Sequence, residues 1–85
     1  MRVVCVYKDG YDYSRTVSDW IEDLYRRTGH KIEIINPDKS PSFCEAYDVV
    51  EYPTIMALGP NGEATNIWKG FPLPLFDEVT YYLNA

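Results

Sequence analysis

Apolar positions along this chain keep two different spacings, and each change of spacing marks the boundary of an element. Val3-Val4-Cys5-Val6-Tyr7 is a short, nearly continuous apolar run with β-branched residues, which predicts a central strand buried on both faces. Lys8-Asp9-Gly10-Tyr11-Asp12-Tyr13 breaks the run with charge and a flexible glycine, the signal of a turn from strand to helix. From Ser14 the period lengthens: Val17, Trp20, Ile21, Leu24 and Tyr25 share one helical face, while Ser18, Asp19, Glu22, Asp23, Arg26 and Arg27 fall on the other. Glu22 with Arg26, and Asp23 with Arg27, stand in the favourable i, i+4 order. Asp12 or Ser14 is expected to cap this helix, a contribution of about 1 kcal/mol, and Gly29 supplies a left-handed stop.

Lys31-Ile32-Glu33-Ile34-Ile35 alternates and ends at Asn36-Pro37-Asp38, which predicts a second strand. Ser40-Pro41 reads as a cap followed by proline at the first helical position, and the short helix 41–47 brings Phe43, Cys44 and Tyr47 to one side. Thr54 to Leu58 and Ala64 to Lys69 form a hairpin around Pro60-Asn61-Gly62, where Asn and Gly tolerate positive φ. Pro53 at the hairpin's entrance cannot donate to a ladder, so it marks an edge, a bend or a cis peptide. The last segment, Leu73 to Leu83, carries Leu75, Phe76, Val79, Tyr82 and Leu83 at helical spacing. The predicted order is β-α-β-α-β-β-α. Its βαβ unit requires a parallel pair and a right-handed crossover, and its hairpin an antiparallel pair. The expected fold is therefore an α/β domain spanning 1–85, a four-stranded mixed sheet with helices on both faces.

Composition narrows the function classes. At 46% apolar with thirteen aromatics, eight of them Tyr, the chain has the material for a packed core. A net charge of −5 argues against nucleic acid and anionic membranes as partners. The apolar start meets Lys8 and Asp9 too soon for an export signal or a spanning helix, and the expected location is the cytoplasm. Cys5 and Cys44 are too far apart in sequence for a CxxC or a metal cluster, and read as two buried thiols acting as small apolar side chains. His30 is expected to be a solvated turn residue, and Trp20 and Trp68 to be packing residues. Asp9, Asp12 and Asp19 lack the spacing of a hard-cation loop.

Tyr52-Pro53-Thr54, then Asn61-Gly62-Glu63, then Gly70 resemble the carboxyl half of thioredoxins: the cis-proline loop, the hairpin turn and the glycine before the last helix. The element order resembles the minimal thioredoxin or glutaredoxin fold over nearly the whole chain, and Val3 to Lys8 resembles the glutaredoxin first strand with its lysine. The resemblance implies a cis Tyr52-Pro53 bond. It breaks at the active site: where the family carries Cys-x-x-Cys at the start of the first helix, this chain has Tyr11-Asp12-Tyr13-Ser14. In the family the first thiol sits at a helix N-terminus, whose dipole stabilises the attacking thiolate. Tyr11 and Ser14 have no sulfur, so the usual dithiol exchange is expected to be absent, and with it iron–sulfur ligation through that position.

What the resemblance leaves is a binding apparatus. The family residue before the cis-proline offers its main-chain N–H and C=O to an extended peptide or to glutathione, a part that falls here to Tyr52. With Lys8, Tyr11, Asp12, Tyr13, Ser14, Pro53 and Thr54 it makes a tyrosine-rich candidate surface for a peptide or protein partner, with no catalytic residue and no metal. The same tyrosines also fit a plain structural role as the cover of a small core. Two alternatives stand beside it: one-thiol redox chemistry at Cys44, and a transferase-like domain holding glutathione through Tyr11, Tyr13 or Ser14.

Overall fold

The computed structural model describes residues 2–84; Met1 and Ala85, which the expected 1–85 domain includes, lie outside the described residues. The elements run β1 (Arg2–Val6), α1 (Ser14–Thr28), β2 (Glu33–Ile35), α2 (Pro41–Ala46), β3 (Thr54–Leu58), β4 (Ala64–Lys69) and α3 (Phe76–Leu83). They form the expected four-stranded mixed sheet, in the order β2-β1-β3-β4. β1 runs parallel to β2, with Val4 opposite Glu33 and Val6 opposite Ile35. β1 and β3 are antiparallel, Val6 facing Thr54, and β3 and β4 close the hairpin, Thr54 facing Lys69. The hairpin count skips Thr65, since Ala57 faces Asn66 and Leu58 faces Ala64. The Thr65 hydroxyl donates to the Ala57 carbonyl at 3.0 Å across this bulge.

Because side chains alternate along a strand, the sheet sorts its apolar residues into two layers. Val3, Cys5, Tyr7, Ile55 and Ala57 pack against Val17 and Leu24 of α1 and Val79 of α3. Val4, Val6, Met56 and Leu58 pack on the other side with Val49, Phe43, Cys44 and Tyr47. Helices therefore cover both faces, and the near-continuous apolar runs of β1 and β3 follow from that double cover. The short edge strand β2 is held partly by Arg2, whose guanidinium donates to both Glu33 carboxylate oxygens at 2.8 and 2.6 Å. That grip lowers the Glu33 carboxyl below its ordinary range.

Several local expectations give way to tertiary geometry. Tyr25 is 52% exposed, because each helical residue turns about 100° and carries Tyr25 past the buried Val17–Leu24 seam, to lie under the Lys31 ammonium. The Glu22–Arg26 and Asp23–Arg27 pairs do not form: Asp23 pairs with Arg26, one turn away at i, i+3. β2 is shorter than predicted, and its Ile34 faces solvent at the sheet edge. Ser40 stands at the α2 N-cap without a side-chain cap bond, and α2 ends before Tyr47. Pro74 disfavours helical backbone at Leu73, and Leu75 is an extended N-cap whose N–H donates to Glu78, so α3 starts at Phe76 and Leu75, 70% exposed, is not part of the apolar face. Gly29 does stop α1, in the left-handed region at φ 75°, its N–H donating to the Tyr25 carbonyl at 2.8 Å. His30 is tied to Asn84, Nε2 to Oδ1 at 2.8 Å, so it is not a merely solvated turn residue. Both cysteines are free; Cys5 is buried as expected, Cys44 only half-buried. Among the described residues no helix is long and apolar enough to cross a membrane.

The seam predicts a contrast on one helix. Leu24→Ala empties a fully buried site and should cost about 2–5 kcal/mol in urea denaturation. Tyr25→Ala, on the exposed flank, should cost within about 1 kcal/mol.

Candidate functional site

One end of the sheet gathers three loops. β1 leaves Val6 for Tyr7 and Lys8, the chain enters β3 through Tyr52-Pro53, and β4 leaves Lys69 for Gly70-Phe71-Pro72. The pairing of Val6 with Thr54 and of Thr54 with Lys69 places these exits side by side. The Gly70 N–H donates to the Pro53 carbonyl at 2.8 Å, and Gly70 takes φ 66°, a conformation that favours glycine. The Tyr52–Pro53 and Phe71–Pro72 peptides are both cis.

Ser14 ties the loop before α1. Its hydroxyl donates to the Lys8 carbonyl at 2.6 Å and accepts from the Tyr11 N–H at 3.0 Å, and the residue is 8% exposed. Neither Asp12 nor Ser14 caps the helix: the N-cap is Tyr13, without a side-chain cap bond. The Ser14 hydroxyl is spent on stitching the loop end to end. Asp12 points to solvent and forms no ion pair among the described residues.

On this frame the tyrosines assemble. Tyr11 and Tyr13 stack with ring centroids 5.7 Å apart and planes 16° off parallel, and Tyr13 meets Phe71 edge-on at 6.5 Å. Tyr11 and Phe71 are 56% and 52% exposed, an aromatic wall facing water. Lys8 lies over the Tyr52 ring, Nζ 5.7 Å from the centroid, and pairs with Asp38 at 3.0 Å. That carboxylate raises the Lys8 pKa. The main-chain N–H and C=O of Tyr52 take no hydrogen-bond partner among the described residues. Thr54 is buried and donates its hydroxyl to the Glu51 carbonyl at 2.7 Å, so it supports the loop from beneath and presents nothing outward. Pro53 is likewise buried.

The site thus joins Lys8 with Tyr52 and Tyr11 with Tyr13, and withdraws Ser14, Thr54 and Pro53 into its support. Cys44 is a half-buried residue of α2 itself and packs on the same core cluster as Tyr52. Cys5 is in the core, where burial pushes its thiol up to about 12. Sequence reasoning missed Phe71 and Asp38. The signal for Phe71 was an aromatic between Gly70 and Pro72, where neither helix nor strand could bury it; Asp38 became a partner only when parallel pairing brought the β2 exit beside the β1 exit. Among the described residues no cluster of three metal-ligating side chains occurs.

No protein-family model and no curated protein sequence matches the chain. Solved structures do. Thioredoxin 1 from the thermophilic eubacterium Thermosipho africanus superposes with a TM-score of 0.70 at 17% identity, covering 99% of this chain and 91% of that one. The fold is thioredoxin-like. A designed protein matches with a TM-score of 0.69 at 18% identity over 98% of this chain and 72% of its own. A malarial protein matches at 0.68 and 18% identity, over 96% and 91%. At such identities the likeness carries the thioredoxin-like architecture alone.

Two outcomes follow. Ser14→Ala leaves the Tyr11 N–H and the Lys8 carbonyl without their partner and should cost about 1–3 kcal/mol in urea denaturation. For Cys5, the unfolded thiol ionises near its ordinary 9.0 while the folded one holds its proton to about 12. Below that window both states are protonated and the contribution is constant; within it, stability should fall by up to about 1.4 kcal/mol per pH unit. Denaturation of wild type against Cys5→Val at about pH 8 and about pH 10 reads the difference in slope.

Proposed function

We propose that this protein is a redox-inactive binding module of thioredoxin-like fold that captures an extended segment of a peptide or protein by strand addition at Tyr52. The observation that carries the reading is the unpaired main chain of Tyr52 beside the exposed Tyr11 and Phe71 rings, with the half-buried Tyr13 between them in contact with both. Main-chain groups give affinity in strand addition, and neighbouring pockets or rings select the side chains. Tyrosine supplies a large contact area at low entropic cost. Lys8 is neutralised by Asp38, so the favoured segment is apolar or aromatic rather than acidic. Redox inactivity rests on the placement of sulfur: the loop before α1 holds none, Cys5 is in the core, and Cys44 is a lone half-buried thiol on α2 with no second thiol beside it in the sequence. Ser14 has both its donor and acceptor roles engaged, which weighs against a glutathione thiolate held there. The two free thiols are in keeping with the reducing cytoplasm.

Amide NMR titration against a panel of unstructured apolar peptides tests the reading. A saturable shift centred on Tyr52 and its neighbours is expected, weakened about tenfold or more by combined Tyr11→Ala and Phe71→Ala. Insulin-disulfide reduction is expected to be absent. Peptide binding indifferent to those two changes, saturation by reduced glutathione in place of peptide, or insulin turnover that is lost with Cys44→Ser or Cys5→Ser would each overturn it.

A further inference from the structure

Between α1 and the segment leading into α3 lies an open groove of about 350 Å³, lined by Trp20, Arg27, Leu73, Pro74, Leu75 and Phe76. It stands apart from the Tyr52 surface and shares no lining residue with it. Its walls are two aromatic rings, two leucines and a proline, and Arg27 is the one charged group among them. The Trp20 and Phe76 rings meet at 5.7 Å. The indole N–H is already committed to the Pro74 carbonyl at 3.1 Å, so Trp20 offers the groove its ring and no donor.

Arg27 is placed for recognition of an anion. The acid expected to pair with it, Asp23, pairs with Arg26, and no carboxylate among the described residues forms a salt bridge with Arg27. Its guanidinium lies over the Phe76 ring, 5.5 Å from the centroid. Stacking uses the flat face of a guanidinium and leaves its N–H edge free to grip a carboxylate with two parallel hydrogen bonds. Glu78, the one glutamate of α3, is engaged elsewhere: its two oxygens accept from the Leu75 N–H at 3.2 Å and the Trp68 indole at 3.3 Å.

We propose that this groove binds a small apolar monocarboxylate, its ring or branched chain against Trp20, Leu73, Leu75 and Phe76 and its carboxylate on Arg27. The volume sits at the small end of ligand pockets, which span about 300–1,000 Å³. A single cation sets the ligand charge at minus one. Among the described residues no carboxylate lines the groove to hold an ammonium group, which disfavours amino acids and other zwitterions.

The test uses 4-phenylbutyrate and its neutral analogue 4-phenylbutyramide as probes, followed by amide and indole NMR. With the acid, the Trp20 indole and the Leu75 and Phe76 amides should shift saturably while Tyr52 stays still; the amide should bind about tenfold more weakly or worse. Arg27→Gln should erase the preference for the acid and Arg27→Lys should keep part of it. Leu75→Asp should abolish binding of both. Arg27 and Leu75 are exposed, so these variants keep the core intact, and unchanged spectral dispersion checks that. Equal binding of acid and amide, a preference that survives Arg27→Gln, or no saturable shift at Trp20 in the millimolar range would overturn the proposal. None of those results bears on capture at Tyr52.

Discussion

The molecule depends on the burial of β3. All five of its residues, Thr54 to Leu58, are buried, so this strand can exist only with a neighbour on each edge and a layer on each face. β1 and β4 supply the edges. Val17, Leu24 and Val79 cover one face, and the α2 segment with Val49 covers the other. In a chain of 85 residues, where the fraction of surface buried on folding is low, a strand this completely enclosed concentrates the apolar burial that holds the fold.

The same constraint positions the candidate site. A buried strand must keep its main chain paired to its end, and Pro53 ends the donor series because it has no N–H. The Gly70 N–H satisfies the Pro53 carbonyl and the Thr54 hydroxyl satisfies Glu51, so the entrance of β3 is fully bonded on its inner side. Tyr52, one residue further out, is the first position whose main chain is free. The boundary between a closed core and an open edge therefore falls on one residue. Ser14 fixes the opposite wall by closing the loop from Lys8 to Tyr11.

What the sequence made legible was whatever burial dictates. The bounds of β3 and β4 and the start and stop of α1 match the pattern because apolar runs, a hairpin turn and Gly29 are local signals read directly from neighbouring residues. Interactions among polar groups were less legible. Ser14 looked like a cap because serine often is one, yet its hydroxyl had two main-chain partners waiting in a loop whose path the residue types do not state. Asp23 had arginines at both i+3 and i+4, and spacing alone does not choose between them. Leu75 satisfied the helical period and still lies outside the helix, as an extended N-cap whose N–H donates to the Glu78 carboxylate three residues on. The tyrosines of the site were readable as a set; Phe71 and Asp38 join them only through strand pairing.

One strap links the two surfaces. Residues 70–75 run from the end of β4 to the start of α3; Phe71 closes the aromatic wall near Tyr13, and Leu73, Pro74 and Leu75 line the Arg27 groove. The strap is pinned at one end by the Gly70–Pro53 bond, in the middle by the Trp20–Pro74 bond, and at its far end by Glu78 on the Leu75 N–H. Two prolines within it, the exposed Pro72 and the buried Pro74, fix their own φ and restrict its backbone further. A segment so short and so fully tethered holds Phe71 and Leu75 at a fixed spacing along α1. The two surfaces are thus built from one scaffold, with α1 as the wall they share: its N-terminal loop faces the Tyr52 surface, and its Trp20–Arg27 flank faces the groove.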